Sequence, residues 1–304
     1  RSPGRASGGR LRAWVLAARP KTLAAAVVPV AVGSAVALDA GGFAALPALA
    51  ALVGALWIQV GTNFANDYFD FVHGADTADR VGPTRAVAAG LLTPAAMRAG
   101  AALAFGLATV CGLYLALHAG WPVVVIGVAS VAAGVGYTAG GRWSLGYLGL
   151  GDLFVFVFFG PVAVAGTAYV QTLRWPVEAL WASVPVGCLA VAVLVVNNYR
   201  DAPTDRESGK RTLAVRFGRG FARGEYVVLL AAAYAVPLFQ WVLGPGAGGG
   251  GSWILLPWLC LPLAAPPLKK LFGGVDGAAL NTALAETARL LVAFGGLYAV
   301  GVVL

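Results

Sequence analysis

Long apolar runs, each about the length of one membrane crossing, alternate with short polar breaks along this chain. A helix needs about 20 mainly apolar residues to cross the hydrocarbon core of a bilayer. We predict a membrane span in each run that meets this requirement: 20–39, 44–65, 95–118, 121–141, 149–170, 178–198, 224–243, 252–271 and 283–304.

Most breaks between these spans are tight, but two connections, 66–94 and 199–223, are long and polar. Because backbone polar groups in lipid must be hydrogen-bonded within the protein, we expect helices and not an open sheet. The prediction is an all-α, polytopic membrane protein. Its nine transmembrane helices form a single domain over 20–304, and its loops form a polar cap on one face.

The composition agrees with a membrane protein. Of the 304 residues, 59% are hydrophobic and 11% are charged, whereas a typical soluble domain carries about 25% charged residues. The three cysteines lie in apolar stretches without a paired spacing, which indicates packing and not a disulfide or a metal site. Residues 1–19 are a basic N-terminal arm, of which we expect the first twelve residues to be disordered.

The positive charges fall almost entirely on one side of the predicted bundle. When nine spans are threaded through the bilayer, every Lys and Arg except Arg174 lies on the face where the chain begins. By the positive-inside rule that face is cytoplasmic, and the protein lies in the plasma (inner) membrane. Topology therefore explains the net charge of +8, and we predict no binding to nucleic acid.

Two acidic clusters follow apolar runs on this same face. In the first, Asn63, Asn66, Asp67 and Asp70 are spaced i, i+3, i+4 and i+7, and Asp76 comes soon after. A helix that continued through this segment would place the first four residues on one face.

The second cluster repeats the arrangement. Asn197, Asp201 and Asp205 are spaced i, i+4 and i+8, although Pro203 can disturb the last helical turn. Two facing rows of carboxylates can hold Mg²⁺ and leave room for phosphate oxygens. Cations that follow the acids closely can contact those phosphates: Arg80, Arg85, Lys210 and Arg211.

The alternative interpretation is that these acids and bases simply pair at a hydrated membrane edge. Two matched rows, each with asparagines and cations beside it, favour a functional site, because polar groups at membrane depth are costly. A third polar motif, Tyr137 to Arg142, ends the fourth span at the same depth, so we expect one pocket. Asp152 on this face is either a helix cap or a pocket residue.

Taken together, these segments resemble the UbiA superfamily of membrane prenyltransferases over nearly the whole chain. They are similar above all to the branch that prenylates 1,4-dihydroxy-2-naphthoate in menaquinone synthesis. The matching motifs occur in a fixed order: Arg19-Pro20-Lys21-Thr22, Asn66-Asp67-Tyr68-Phe69-Asp70 with Asp76, Asp79-Arg80-Val81-Gly82-Pro83 with Arg85, Tyr137-Thr138 with Arg142, Gly146 to Asp152, Phe158-Phe159-Gly160-Pro161, and Asn197 to Arg216. The chain departs from the branch at Trp143, where a proline is common.

The resemblance implies a central cavity with a diphosphate site that depends on Mg²⁺, with two ions bridging the diphosphate. It implies three groups of site residues, named by role: metal ligands Asp67, Asp70, Asp76, Asp201 and Asp205; cations for the leaving group Lys21, Arg80, Arg85, Arg142, Lys210 and Arg211; and supporting amides Asn63, Asn66 and Asn197. Tyr137 would orient the diphosphate or stabilise the allylic cation, or else serve only as an interfacial anchor.

The implied reaction joins a polyprenyl diphosphate to 1,4-dihydroxy-2-naphthoate within the lipid bilayer, with loss of CO₂, to give demethylmenaquinol. Two other functions remain open from the sequence. One is a sister prenyltransferase that acts on another aromatic acceptor, such as 4-hydroxybenzoate or homogentisate. The other is a cation-coupled transporter, although transporters tend to carry ionisable groups near the midplane and to show internal repeats.

Overall fold

The computed structural model describes residues 4–74, 82, 84–140, 144–243 and 251–304. These parts of the chain are helical and contain no strand. The α-helices are α1 (Gly4–Ala18), α2 (Ala24–Asp39), α3 (Ala45–Val72), α4 (Pro94–Ala119), α5 (Trp121–Gly136), α6 (Gly151–Val157), α7 (Ala163–Thr172), α8 (Val177–Glu207), α9 (Leu213–Leu243), α10 (Ala265–Phe272) and α11 (Leu280–Val303). The all-α fold class is confirmed.

Each predicted span corresponds to a helical segment of the structure. Within the described residues, seven helices are long and apolar enough to cross a membrane. An eighth is a bent pair in which Gly9–Thr22 meets α2 at 49°. The remaining predicted span corresponds to α5, a shorter apolar helix of 16 residues, so the protein is multi-pass and the count of nine stays a prediction.

The N-terminal arm differs from its prediction, because the chain is helical from Gly4 onward and not disordered. The far end of α1 has partners that hold it against the bundle. Ala13 and Ala17 are buried in a cluster with Met97 of α4, and the ring of Trp14 contacts Phe64 of α3 edge to face. This apolar burial stabilises a helix whose glycines lower its intrinsic helix propensity.

Prolines interrupt two of the predicted spans. The fifth predicted span joins α6 to α7 through a π-helical turn, Phe158–Val162, that contains Pro161. In the eighth, Ser252–Ala264 is a 3₁₀ helix with Pro257 and Pro262 inside it. Proline has no N–H to donate and its ring crowds the preceding turn, so regular α-helical bonding is lost at each of these places.

Helix α8 lies at the centre of the bundle. Its buried face belongs to the main hydrophobic core, which also draws residues from α2, α7, α9, α10 and α11. A second, smaller cluster joins α1, α3 and α4. The two helices that carry the acidic clusters, α3 and α8, therefore belong to different packing units, and the ends that follow their apolar runs meet at the candidate site.

Candidate active site

The first acidic cluster lies on the last turns of α3. The helix continues without a break to Val72, past the end of the apolar run, so the predicted shared face of Asn63, Asn66, Asp67 and Asp70 is confirmed. Asp67 and Asp70 are nearly inaccessible, at 1% and 2% exposure. Two buried carboxylates so close together need donors to remain charged.

The segment that follows the first cluster supplies these donors. The backbone N–H groups of Ala86 and Val87 donate to the two carboxylate oxygens of Asp67, at 2.9 and 3.2 Å. The Arg85 guanidinium donates to Asp70 at 2.6 Å, and Arg85 is itself buried. Part of the 66–94 connection therefore folds back over the end of α3 and fixes both acids.

The two asparagines of this cluster tie α3 to its neighbours. The Asn63 amide donates to the backbone carbonyl of Ala18 at 2.9 Å and to the Thr22 hydroxyl at 3.1 Å. Asn66 accepts a hydrogen bond from Thr138 at 2.8 Å. The motif before α3, which contains Thr22, and the motif after it, which contains Thr138, therefore both contact α3 close to its acidic residues.

Lys210 brings the two acidic clusters together. Its ammonium lies 3.8 Å from a carboxylate oxygen of Asp70 and 3.9 Å from one of Asp205. It also lies over the Tyr147 ring, 5.2 Å from the centroid. One carboxylate from each cluster therefore lies beside the same ammonium, although the two come from opposite halves of the chain.

The second cluster stays helical despite its proline. Helix α8 runs through Pro203 to Glu207. Proline leaves the carbonyl of Tyr199, four residues earlier, without its helical donor, and the Arg219 side chain donates to that carbonyl at 3.1 Å. The substitute donor explains why Asp205 keeps its place on the same face as Asp201.

Asp201 has a cationic partner that the sequence analysis did not assign to the site. Arg200 donates to both carboxylate oxygens of Asp201, each at 2.7 Å. The same guanidinium donates to Asn197 at 2.9 Å and to Asn281 of α11 at 2.7 Å. Asn281 is 81 positions away in the sequence, and no spacing rule connects it to Arg200.

The segment after α5 makes two close approaches at glycines, one to Tyr137 and one to the backbone of Arg211. A side chain at Gly151 would come within 2.9 Å of the Tyr137 hydroxyl. Gly149 has a positive φ of 76°, and a side chain there would come within 2.4 Å of the Arg211 carbonyl. Only glycine fits these close approaches, which explains the glycine spacing that precedes Asp152.

Asp152 is buried and is not the N-cap of α6, which is Leu150. Its exposure is 8%, and its Oδ1 has no hydrogen-bond partner among the described residues. The Tyr137 hydroxyl lies in the electrostatic field of three carboxylates, those of Asp152, Asp205 and Asp70. Tyr137 and Asp152 therefore belong to the same acidic neighbourhood as the two clusters.

Other predicted site residues are not brought into this cluster or cannot be placed. Lys21 and Arg211 are exposed, and in the described part of the chain they show no ion pair with the acids. Asp76, Arg80 and Arg142 lie outside the described residues, as does Trp143.

Carboxylates of the two clusters fit a hard divalent cation. All their donor atoms are oxygens, which Mg²⁺ prefers, and the Lys210 ammonium shows that a positive charge fits between Asp70 and Asp205. Among the described residues, no group of three or more His, Cys, Asp or Glu side chains is already gathered as a metal site. The cations paired with Asp70, Asp201 and Asp205 are Arg85, Arg200 and Lys210.

A family model and several relatives agree with this arrangement. The model of the UbiA prenyltransferase family matches residues 26–276. The chain belongs to the UbiA prenyltransferase family. It is an aromatic prenyltransferase, and family membership decides against the transporter alternative.

Similar proteins cover the chain almost end to end. The 1,4-dihydroxy-2-naphthoate octaprenyltransferase of Mycobacterium tuberculosis is 39% identical over 274 residues, which span 90% of this chain and 91% of the relative. The protein of the same name from Escherichia coli is 35% identical over 302 residues, 97% of this chain and 96% of the relative.

Solved structures share the fold at low identity. A UbiA homolog from Archaeoglobus fulgidus bound to DMAPP and Mg²⁺ superposes with a TM-score of 0.62 at 14% identity, over 94% of this chain and 99% of the homolog. The apo structure of a UbiA homolog from Aeropyrum pernix K1 gives a TM-score of 0.67 at 16% identity, over 90% and 97% of the two chains. These structural similarities establish the fold.

Proposed function

We propose that this prenyltransferase transfers a polyprenyl group from a polyprenyl diphosphate to 1,4-dihydroxy-2-naphthoate, with loss of CO₂, to give demethylmenaquinol. The observation that carries the proposal is the Lys210 bridge, which brings Asp70 of α3 and Asp205 of α8 to one point. The names of the relatives that match over most of their length support the choice of acceptor.

In this proposal the acids hold the metal and the cations receive the leaving group. Asp67, Asp70, Asp76, Asp201 and Asp205 would be the Mg²⁺ ligands, supported by the cluster asparagines. When bound, Mg²⁺ would neutralise charge on the diphosphate oxygens as a Lewis acid. We propose that these carboxylates would hold two such ions.

The basic side chains act as the C1–O bond of the prenyl diphosphate breaks. Negative charge then grows on the diphosphate, and Arg85 and Lys210, which lie beside the acids, would stabilise it. Lys21, Arg80, Arg142 and Arg211 are proposed to contact the diphosphate from the loops. The bond pair leaves with the diphosphate, and an allylic cation remains at C1.

The ring of the acceptor completes the transfer. The ring carbon that bears the carboxylate donates an electron pair to C1 of the prenyl cation. The carboxylate then leaves as CO₂, and the electron pair of the broken C–C bond restores the aromatic ring. Tyr137, in the field of Asp152, Asp205 and Asp70, would orient the diphosphate or stabilise the cation. The polar cap would face the cytoplasm, with the protein in the plasma membrane.

The test is a membrane assay with 1,4-dihydroxy-2-naphthoate, a labelled prenyl diphosphate and Mg²⁺, with EDTA in a matched sample. The proposal predicts prenylated naphthoquinone from the complete mixture and none with EDTA. Parallel reactions contain 4-hydroxybenzoate or homogentisate in place of the naphthoate. Product only from one of those acids would contradict the proposed acceptor, and equal product with EDTA would contradict the proposed metal.

A further inference from the structure

Arg200 joins the second acidic cluster to the last helix of the bundle. Its side chain is buried, at 2% exposure, and donates through Nη1 to the Oδ1 of Asn281 at 2.7 Å. Asn281 is the second residue of α11. A buried guanidinium is costly unless its charge and its N–H groups are satisfied, so the identity of each partner matters.

The contact between Arg200 and Asp201 goes against the usual geometry of a helix. Residues next to each other in sequence point in different directions around the axis and do not face each other. Arg200 nevertheless donates through Nε and Nη2 to both oxygens of Asp201. The guanidinium must therefore turn away from its own direction and be held there.

Two amides hold the guanidinium in this position. Asn197, one turn earlier on α8, accepts from Nη2 at 2.9 Å, and Asn281 accepts from Nη1 on a different helix. The two-point contact with Arg200 fixes the plane of the Asp201 carboxylate. The Asn197 amide also donates to Oδ2 of Asp201 at 3.3 Å, so Oδ2 accepts two hydrogen bonds and Oδ1 keeps a further lone pair for a cation.

We propose that Arg200 and Asn281 are positioning residues, which set the orientation of the Asp201 carboxylate toward the diphosphate site. Asn281 holds the guanidinium of Arg200 in place, and this guanidinium orients the carboxylate of Asp201. Through this chain of contacts the start of α11 takes part in binding the prenyl diphosphate without touching it. The inference rests on the role that the proposed function gives to Asp201.

The test is direct binding of a non-reactive prenyl thiodiphosphate, measured by titration calorimetry on the full chain in detergent with Mg²⁺. The variants are Asn281→Leu, Asn281→Asp, Arg200→Gln, the double variant Arg200→Gln/Asn281→Leu, and Asp201→Asn. Asn281→Asp is the matched control, because a carboxylate accepts the same N–H. Thermal unfolding of each variant reports folding, and Asn281→Ser replaces Asn281→Leu if the latter does not fold.

We expect Asn281→Leu to weaken binding about tenfold, as for loss of a hydrogen bond to a charged group. Asn281→Asp should stay within about threefold of the parent. The double variant should bind within about twofold of Arg200→Gln alone, because both changes break one chain of contacts.

Three results would overturn the inference. The first is parent-like binding by Asn281→Leu while Asp201→Asn binds weakly. The second is a double variant whose loss of binding free energy equals the sum of the two single losses. Both results leave the proposed function standing. The third is an equal loss of affinity in Asn281→Asp and Asn281→Leu, which would show that Asn281 acts through packing and not through its hydrogen bond. Parent-like binding by Asp201→Asn would instead contradict the proposed function, and the inference would fall with it.

Discussion

The two acidic clusters lie on helices with very different surroundings. Within the apolar stretch of α8, 72% of the residues are buried inside the bundle, against 17% in that of α3. The acids of α3 are fixed by a loop, through Arg85 and the backbone of Ala86 and Val87. Asp201 of α8 is fixed by the helix itself, through Arg200, with support from α11.

The two halves of the proposed site therefore differ in what holds them. The α3 half is held by a loop, and the α8 half is held by the hydrophobic core. A loop that donates to carboxylates can rearrange when a substrate or a metal takes over those carboxylates. A central helix packed on several sides cannot move without disturbing the core. We infer that the α8 half is the fixed reference of the site and that the α3 half adjusts to the ligand.

The largest expected effect tests whether both halves are needed. Asp70→Asn and Asp205→Asn should each lower prenyl transfer by about 10³-fold, because each removes a charge from the metal and diphosphate site. Activity in purified membranes, normalised to protein amount, measures this. The control is Asp39→Asn, which changes an exposed acid at the far end of α2 and should keep full activity. A parent-like rate in either site variant would contradict the claim that both halves are needed.

The next effect concerns the bridge between the halves. Lys210→Met should raise the KM for the prenyl diphosphate by about 10- to 100-fold, because two carboxylates lose their shared counter-charge and repel the substrate. Lys269→Met removes the same charge from an exposed position on α10, outside the proposed site, and should change KM by less than about threefold. Equal KM values for the two variants would show that the bridge has no functional role.

A pair of glycines sharpens the contrast between core and periphery. A Cβ at Gly160 would come within 2.8 Å of the Ser183 carbonyl on α8, whereas a Cβ at Gly106 on α4 meets nothing within 4 Å. Gly160→Ala should therefore destabilise the protein by about 1–3 kcal/mol. Gly106→Ala should leave stability unchanged or raise it by up to about 1 kcal/mol. Thermal unfolding in detergent compares them, and an equal shift would argue against a rigid α8 interface.

The smallest expected effect lies at the edge of the site. Thr138→Val removes the donor to Asn66, and we expect activity to fall about two- to tenfold, as for one neutral hydrogen bond. Thr109→Val on α4 is the matched control, since that hydroxyl donates to the carbonyl of Phe105 within its own helix. A loss as large as that of Asp70→Asn would mean that Asn66 does more than support α3.

Much of the fold follows from local rules that act along the chain. Apolar runs of span length predict where the helices lie, and the i, i+3, i+4 and i+7 spacing correctly predicts the shared face at the end of α3. These features need no knowledge of which helices touch.

Features that depend on contacts between distant segments could not be predicted. The partnership of Arg200 with Asn281 spans 81 positions, and the bond that replaces the missing donor at Pro203 comes from Arg219. The folding of the N-terminal arm into α1 depends on Trp14 meeting Phe64. In each case tertiary packing chooses the partner, and the sequence offers several equivalent candidates.

The central claim is that the two acidic clusters form one metal-dependent diphosphate site. It is tested most directly by a structure of the protein with Mn²⁺ in place of Mg²⁺ and a prenyl thiodiphosphate, with the metal located by its anomalous scattering. The account predicts metal peaks between the carboxylates of α3 and those of α8, with the diphosphate beside Arg85 and Lys210. Metal or diphosphate bound to one cluster alone, or away from both, would contradict it.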